Sequence, residues 1–259
     1  MPTKTQYQSF NQAATTYDLY SDVQAELFYN MVRAIPQQSY NTALDLGCGS
    51  GTLTHDLLTH FPALTNITGI DQSPAMINVA NNQQSSTKIT FKTGSIEQHD
   101  LWGTADLIIS NAALQWVNTT DPFFEQCAHH LNTNGVFAGS VFLPGTFTEL
   151  EQVLSDSLNQ PIILPASNFQ PFNHYHHALS KQFETVSFKR YVYYKPFDSV
   201  FALLHWMKSL GIQGHSAFRS TTNIRWTPGF LNRLEQLFLQ KFGAVKVRCE
   251  LCYFVCGND

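Results

Sequence analysis

Three closely spaced glycines in the first quarter of the chain have the spacing of a small-molecule binding site. The run DLGCGSG (45–51) follows an apolar stretch and leads into a helical pattern, and glycines at such a junction let the backbone turn sharply and approach a ligand closely. A dinucleotide site would need a third glycine at position 52, which is Thr52. The observed spacing, with an acid two residues before the first glycine, instead suits a ligand that carries a cationic amino acid group.

Asp71 adds a second candidate contact, because it ends another apolar run twenty residues after the last of these glycines. A carboxylate at the end of that strand can accept hydrogen bonds from both hydroxyl groups of a ribose. The two features together indicate a ligand that has a ribose and an amino acid part.

The elements that must position these residues alternate between short apolar runs and helical patterns, which is typical of a parallel α/β sheet. Ser73 and Pro74 form a helix start directly after Asp71, and Thr227 and Pro228 form another near the end of the chain. The fold class is therefore α/β and doubly wound. Strands are predicted at 42–47, 67–71, 88–94, 105–111, 135–142, 183–195 and 244–255. Helices are predicted at 22–35, from the glycine run to Phe61, and at 73–82, 121–131, 146–160, 198–210 and 228–243.

The composition excludes a disordered or fibrous chain. Apolar residues make up 43% of the 259 residues, whereas charged residues reach only 13%, about half the usual share. Aromatic residues also make up 13%, which suggests an enclosed apolar cavity. No run approaches the roughly 18 apolar residues of a membrane helix, and MPTKTQYQSF lacks the apolar part of a signal peptide. We therefore expect a soluble, cytoplasmic protein with no membrane partner.

Cysteines and histidines do not predict a disulfide framework or a metal site. The five cysteines are odd in number and scattered. Cys249, Cys252 and Cys256 lie in a predicted strand, where Cys249 would face away from the other two, and those two would be about 13 Å apart. The histidines of FNHYHHAL (172–179) have no acidic cluster nearby in sequence, and this segment is interpreted as a helix start.

Charge is distributed unevenly along the chain. Residues 1–180 hold 4 Lys/Arg and 14 Asp/Glu, whereas residues 181–259 hold 11 and 5, so the net charge of −4 combines an acidic body with a basic C-terminal region. Such a region suggests docking of an anionic partner. Nucleic acid is not the expected partner, because a pI of about 6.2 is low for a protein that binds a polyanion.

The motifs together resemble the class I S-adenosylmethionine-dependent methyltransferases over most of the chain. DLGCGSG (45–51) matches the first motif of that superfamily, GID (69–71) the second, and SNAALQWV (110–117) ends the fourth strand beside the methionine part of the cofactor. The resemblance implies a Rossmann-like fold with a seven-stranded, mostly parallel sheet. At the position that often offers an acid to the adenine amino group, this chain has a serine. The implied cofactor-binding residues are Asp45, Gly47, Gly49, Gly51, Asp71, Gln72, Met76, Ser95, Ile96 and Asn111.

The flanking segments resemble a narrower family, the malonyl-[acyl-carrier protein] O-methyltransferases of biotin synthesis. This resemblance rests on FNQAATTYD (10–18) followed by Val23-Gln24, on VFLPGTFTEL (141–150) and on KSLG (208–211), whereas SNAALQWV is shared with trans-aconitate methyltransferases. The resemblance implies transfer of a methyl group from S-adenosylmethionine to the free carboxylate of malonyl-acyl carrier protein. A carboxyl methyltransferase that acts on a free small acid such as trans-aconitate is the alternative.

Methylation of a carboxylate requires few acid–base groups in the enzyme. The acceptor is already ionised near pH 7 and can attack the sulfonium methyl group without a general base. Proximity, alignment and removal of water then account for catalysis. By family position, we predict that the Tyr17 hydroxyl orients the carboxylate or closes a lid, and that Gln115 and Trp116 line the methyl-transfer site.

The predicted organisation is a single domain over residues 1–259. It comprises an N-terminal helical lid (1–36), a core (37–197 and 244–259) and a helical lobe (198–243) inserted between the last two strands. We expect Lys208, Arg219 and Arg225 of the lobe to meet an acyl carrier protein or its phosphopantetheine phosphate. The sequence carries no signal for an oligomeric state.

Overall fold

The computed structural model describes residues 4–83, 86–212 and 224–258, which form a seven-stranded sheet with helices on both faces. The strand order is β3-β2-β1-β4-β5-β7-β6, and both pairings of β7 are antiparallel. The predicted α/β fold with a mostly parallel sheet is confirmed. The strands are β1 (Thr42–Leu46), β2 (Asn66–Asp71), β3 (Ile89–Thr93), β4 (Ala105–Asn111), β5 (Leu131–Phe142), β6 (Thr185–Pro196) and β7 (Lys246–Gly257).

The helices fall into three groups: those before the sheet, those that connect its strands, and two between β6 and β7. None of the described helices has the length and apolar character needed to cross a bilayer. Three short 3-10 turns occur at His99–Leu101, Leu114–Trp116 and Pro165–Asn168. The helices are α1 (Lys4–Ala13), α2 (Tyr17–Tyr20), α3 (Asp22–Ala34), α4 (Thr52–His60), α5 (Pro74–Gln83), α6 (Thr120–His129), α7 (Thr148–Leu158), α8 (Phe172–Ser180), α9 (Val200–Ser209) and α10 (Pro228–Phe242).

Both predicted helix starts are capped. The Ser73 Oγ accepts a hydrogen bond from the Met76 backbone N–H at 3.2 Å, and the Thr227 Oγ1 accepts one from the Phe230 N–H at 3.2 Å. Each cap satisfies a donor that the first turn of the helix leaves free. The sequence signals therefore place the beginnings of α5 and α10 correctly.

The strand order reverses between β1 and β4, which are neighbours in the sheet although two strands separate them in sequence. A crevice opens at such a switch point beyond the carboxyl ends of parallel strands. The glycine run after β1 and the SNAALQWV segment after β4 meet there. The topology thus brings together the two motifs that carry the predicted chemistry.

Most elements begin or end within one or two residues of the sequence-based prediction, and two of the differences have a clear structural cause. β5 begins at Leu131, four residues earlier than predicted, because its first residues pair with Ala105 across an irregularity in the β4–β5 register. α7 begins at Thr148 rather than 146, because Phe147 has a positive φ of 68° that a helix cannot contain.

Three apolar clusters stabilise the molecule: one on each face of the sheet, and a third where α3, α7, α9 and α10 meet β7. All five cysteines are free thiols. Cys249 packs in the third cluster, whereas Cys252 and Cys256 pack on the α6–α8 face of the sheet. The prediction that Cys249 faces away from the other two cysteines is therefore confirmed. Within the described residues, no group of three or more His, Cys, Asp or Glu is placed to hold a metal ion.

Candidate active site

The loop between β1 and α4 depends on three glycines with positive φ: 86° at Gly47, 56° at Gly49 and 79° at Gly51. A Cβ on Gly47 would lie 2.4 Å from the Ala113 Cβ, and one on Gly51 would lie 2.6 Å from the Phe91 Cζ. A Cβ on Gly49 would meet nothing within 4 Å. Two of the glycines therefore permit close packing of protein against protein, and the third leaves open space beside the loop.

Asp71 ties this loop to the start of α5. Its Oδ2 accepts a hydrogen bond from the Gly49 N–H at 3.0 Å, and its Oδ1 accepts one from the Ser73 N–H at 2.8 Å. Burial raises the pKa of this carboxyl, and the two N–H donors partly oppose that shift. Each oxygen has lone pairs left for a ligand, since a carboxylate accepts about four hydrogen bonds.

Asp45 lies beneath the loop, with 5% of its surface exposed. Burial raises its pKa to about 6; the hydrogen bond from Thr54 Oγ1 at 2.6 Å opposes this, and the nearby Asp71 charge adds to it. The site thus contains two neighbouring carboxyls, Asp45 buried and Asp71 half-buried, whose charged forms a cation close by would stabilise.

A cavity of about 460 Å³ opens over the loop and the ends of β2, β3 and β4. The sheet edge forms its floor, and Phe10 and Tyr17 from the N-terminal segment line it as well. Burial raises the Tyr17 pKa, and the charges of Asp71 and Asp18 raise it further. The Tyr17 hydroxyl is therefore protonated at neutral pH, so it can donate a hydrogen bond but cannot serve as a base.

The N-terminal helices are fastened to the rim of this cavity by polar contacts. The Asp18 carboxylate accepts hydrogen bonds from Ser50 Oγ at 2.5 Å and Thr52 Oγ1 at 2.8 Å, at the start of α4. The Ser73 Oγ donates to Asn11 Oδ1 at 2.5 Å, at the start of α5. The N-terminal segment is therefore attached to the starts of both α4 and α5 and covers the cavity between them.

A second, smaller cavity of about 60 Å³ lies on the other side of Trp116 and shares four lining residues with the first, namely Phe10, Tyr17, Ala112 and Trp116. The Trp116 ring packs edge-on against Phe10 at 6.1 Å and against Phe169 at 5.1 Å between ring centroids. Aromatic and aliphatic groups form most of its walls, including Trp206 and Leu210 from α9. The two cavities therefore meet at an apolar, water-excluding junction.

Two residues here have strained backbones: Ala112 at the junction and Phe147 in the wall of the smaller cavity. Ala112 and Phe147 have positive φ values of 52° and 68°, which non-glycine residues rarely adopt. Two acceptors on Ser140, its carbonyl and its Oγ, hold the Ala112 N–H at 3.1 and 3.0 Å, and the Arg248 carbonyl holds the Phe147 N–H at 2.9 Å. Strain that the surrounding structure maintains is a mark of a functional site.

Comparison with known proteins identifies the family. A profile described as a methyltransferase domain matches residues 44–137. The malonyl-[acyl-carrier protein] O-methyltransferase of Bacillus anthracis is 31% identical over 210 residues, which are 78% of this chain and 78% of that protein. The chain belongs to the malonyl-[acyl-carrier protein] O-methyltransferase family. Malonyl-[acyl-carrier protein] O-methyltransferase 1 of Ilyobacter polytropus is 28% identical over 254 residues, 96% of this chain and 92% of the relative. Alignments with several other members span about half of their length.

A solved structure places the family's fold in its class. Phosphoethanolamine N-methyltransferase 2 of Haemonchus contortus, in complex with S-adenosyl-L-methionine, matches with a TM-score of 0.55 at 14% identity, over 96% of this chain and 57% of the other. At that identity, the likeness concerns the fold alone. The fold is that of the class I methyltransferases, as the motifs predict.

The larger cavity brings together most of the site residues that the sequence predicts. Asp45 and Gly51 do not line it: Asp45 lies under the loop, and Gly51 packs against Phe91 and Ala80. Gln115 lines only the smaller cavity. Their roles toward ligands stay predictions. The predicted residues that do line the larger cavity are Tyr17, Gly47, Gly49, Asp71, Gln72, Met76, Ser95, Ile96, Asn111 and Trp116.

The predicted carrier-protein residues lie elsewhere. Lys208, near the end of α9, and Arg225, before α10, are exposed and line neither cavity. Arg219 lies outside the described residues. An external position suits contact with a macromolecule rather than with the reacting groups.

Glu97 is a lining residue that the sequence reasoning missed. The motif comparison placed the expected acid at Ser95, but a turn closed by the Gln98 N–H on the Ser95 carbonyl at 3.0 Å brings Glu97 to the cavity. Its carboxylate accepts hydrogen bonds from the Asn118 backbone and side chain at 3.2 and 2.8 Å. An acid two residues beyond the expected position was the available signal.

The lining fits S-adenosylmethionine. Open space beside Gly49 admits a ligand close to the backbone, and the half-buried Asp71 offers acceptor oxygens at the position expected for a ribose. The carboxyls of Asp71 and of Asp45 beneath the loop suit a ligand with positive charge. The site therefore fits this group in hydrogen bonding and charge.

Proposed function

We propose that this chain transfers a methyl group from S-adenosylmethionine to the free carboxylate of malonyl-acyl carrier protein. The observation that carries the proposal is the junction of the two cavities, one lined by the carboxylates of Asp71 and Glu97 for a cationic donor and one with apolar walls for an acceptor. Family membership supports the choice of acceptor, since the aligned relatives are named for this reaction. The ester product belongs to the early steps of biotin synthesis, as the sequence resemblance implies.

The residues of the larger cavity divide the work of holding the donor. Asp71 would accept from the ribose hydroxyls, and the Gly47–Gly49 backbone with Asp45 behind it would lie against the amino acid part. Gln72 and Met76 would border the adenine, and Ser95, Ile96 and Glu97 form the wall where its amino group would lie. When bound, S-adenosylmethionine supplies a methyl group on positively charged sulfur, and transfer to a carboxylate breaks a C–S bond, forms an O–C bond and releases no proton.

The residues at the junction exclude water and orient the acceptor. Trp116, Phe10 and Phe169 pack edge to face, so the acceptor would meet the donor in an apolar environment. The Tyr17 hydroxyl lines both cavities and, being protonated, can donate a hydrogen bond to the acceptor carboxylate. Since the carboxylate carries its own negative charge, no general base is required.

The outer face of α9 is the proposed contact for the carrier protein. Trp206 and Leu210 point their side chains toward the smaller cavity, whereas Phe201 and Lys208 are exposed on the opposite side. A partner on that face would lie about one helix diameter, roughly 10 Å, from the acceptor cavity. The excess of positive charge after residue 181 would attract an acidic carrier protein to this region.

Mass spectrometry of malonyl-acyl carrier protein after incubation with the chain and S-adenosylmethionine tests the proposal. Malonyl-coenzyme A and trans-aconitate serve as parallel acceptors. The expected result is a gain of one methyl group on the carrier-bound malonyl thioester and none on trans-aconitate. Methylation of the free acid alone would refute the proposed acceptor while leaving the donor in place.

A further inference from the structure

The smaller cavity is lined, within the described residues, without a single Lys, Arg or His. An acceptor carboxylate placed there would need hydrogen-bond donors from neutral side chains. Besides the indoles of Trp116 and Trp206, of which the second donates its N–H to the Tyr20 carbonyl, the polar side chains of the lining are Tyr17, Gln24, Gln115 and Thr146. That one of them recognises the acceptor carboxylate depends on the function proposed above.

Two of these four side chains are already engaged in holding the protein backbone. The Gln115 Nε2 donates to the Ala112 carbonyl at 2.7 Å, next to the strained turn. The Thr146 Oγ1 accepts from the Glu250 N–H at 3.0 Å and thereby supports the turn before α7. Both side chains are therefore anchored to the backbone around the cavity.

Gln24 differs in that its side chain makes no hydrogen bond among the described residues. It lies on α3 with 7% of its surface exposed, and its Oε1, like that of Gln115, is buried without a hydrogen-bond partner. An unpaired amide group in an apolar setting costs about 1–3 kcal/mol, so a buried amide that faces a cavity indicates a ligand that pairs with it. Because no bond within the described structure fixes the amide, a 180° turn of the group presents its NH₂ to a carboxylate as readily as its oxygen to a donor.

We infer that Gln24 recognises the carboxylate of the acceptor and, together with the Tyr17 hydroxyl, sets the specificity for a free acid. Neutral donors orient the carboxylate yet leave its negative charge available for attack. An Arg or Lys at this position would hold the carboxylate in an ion pair and so oppose the attack of its oxygen on the methyl carbon.

The backbone around Gln24 ties this recognition to the donor cavity. The Gln24 carbonyl accepts a hydrogen bond from Asn111 Nδ2 at 3.1 Å, and the Asn111 Oδ1 accepts one from Ser140 Oγ at 2.6 Å. Val23 and Leu27 on the same helix are fully buried. Gln24 is thus held at a fixed position relative to the end of β4, where the methyl group would be transferred.

Three variants test the inference: Gln24→Leu, the nearly isosteric Gln24→Glu, and Gln38→Leu as an exposed control. Isothermal titration calorimetry, in the presence of S-adenosylhomocysteine, measures the affinity of each for malonyl-acyl carrier protein and for its methyl ester. We expect Gln24→Leu to weaken malonyl binding at least about 10-fold and methyl-ester binding by less than about 3-fold. Gln24→Glu should weaken malonyl binding further, because it places like charges together, and Gln38→Leu should change neither affinity.

Equal losses for the acid and the ester would overturn the inference, because they would show that Gln24 only shapes the cavity. Unchanged malonyl binding in both Gln24 variants would overturn it as well. If Gln24→Leu does not fold, Gln24→Glu provides the same comparison with an intact side-chain volume. Wild-type chain that fails to methylate malonyl-acyl carrier protein would refute the proposed function, whereas active wild type with unaffected variants would refute the role of Gln24 alone.

Discussion

Alanine substitutions at two glycines of the β1–α4 loop should separate ligand binding from folding. Gly49 and Gly51 both have positive φ, so an alanine at either position carries a backbone cost of about 1–2 kcal/mol. They differ in what the new Cβ meets: open space at Gly49, but the Phe91 Cζ at 2.6 Å and the Ala80 Cβ at 2.9 Å at Gly51. Overpacking of this kind adds about 1–3 kcal/mol.

Gly49→Ala should therefore lower the free energy of unfolding by about 1–2 kcal/mol, and Gly51→Ala by about 2–5 kcal/mol. The order should reverse for affinity. A methyl group on Gly49 would occupy space in the cavity where the donor is proposed to lie, so binding of S-adenosylhomocysteine should weaken by at least about 10-fold. Folded Gly51→Ala protein should bind within about 3-fold of wild type, because its Cβ points into the protein.

Urea unfolding gives the two stabilities, and isothermal titration calorimetry of S-adenosylhomocysteine with each folded variant gives the two affinities. Wild-type affinity in Gly49→Ala would refute the reasoning, since the loop would then not approach the ligand. A selective loss of affinity in Gly51→Ala, with Gly49→Ala unaffected, would place the ligand on the other side of the loop.

Three further predictions follow from the same site. Tyr17→Phe should lower kcat/KM for malonyl-acyl carrier protein by about 10- to 100-fold, because the acceptor loses a hydrogen bond to its charged group. The affinity for S-adenosylhomocysteine should not change. Full activity of the variant would show that Tyr17 only packs against its neighbours. Asp45→Asn should raise the free energy of unfolding of the ligand-free protein, measured by urea unfolding, by up to about 3 kcal/mol above pH 6. Below about pH 4 the substitution should leave this free energy unchanged. The reason is that the folded pKa of about 6 exceeds the unfolded value of 3.8, so the penalty of ionising the buried carboxyl grows as pH rises between them; a gain that does not vary with pH would contradict this. Affinity for the carrier protein should fall as salt rises to about 0.3 M, and an affinity independent of salt would exclude charge-guided docking.

The sheet could be predicted from the sequence because each strand is a short apolar run bounded by clear turn or helix signals. Ser73 with Pro74 and Thr227 with Pro228 place two helix starts within a residue. The beginning of β5 and the delayed start of α7 could not be predicted, because tertiary contacts determine them. Phe147 illustrates this, since its positive φ is held by the Arg248 carbonyl, about a hundred residues away in the sequence.

The residues around the donor could be predicted from the sequence because they lie in continuous motifs at strand ends, as Gly47, Gly49 and Asp71 do. Those around the acceptor could be predicted only in part. It is assembled from the N-terminal helices, the segment after β5, the 165–169 region and α9, which have no common spacing. Gln24 belongs to the N-terminal segment that resembles the family, but the resemblance assigns it no role, and its burial beside a cavity is what points to one.

The apolar character of the junction follows from the charges that the proposed reaction removes. A cationic donor and an anionic acceptor become two neutral products, so charge is smaller in the transition state than in the separate reactants. An environment that solvates ions poorly therefore favours the transfer, but it also opposes entry of the carboxylate. A cationic side chain at the junction would improve entry at the expense of the transfer. Among the described residues, the side chains shared by the two cavities are uncharged. Under the proposed function, contacts with the carrier protein on the surface, such as those proposed for Lys208, would supply the binding free energy that the acceptor cavity itself does not provide.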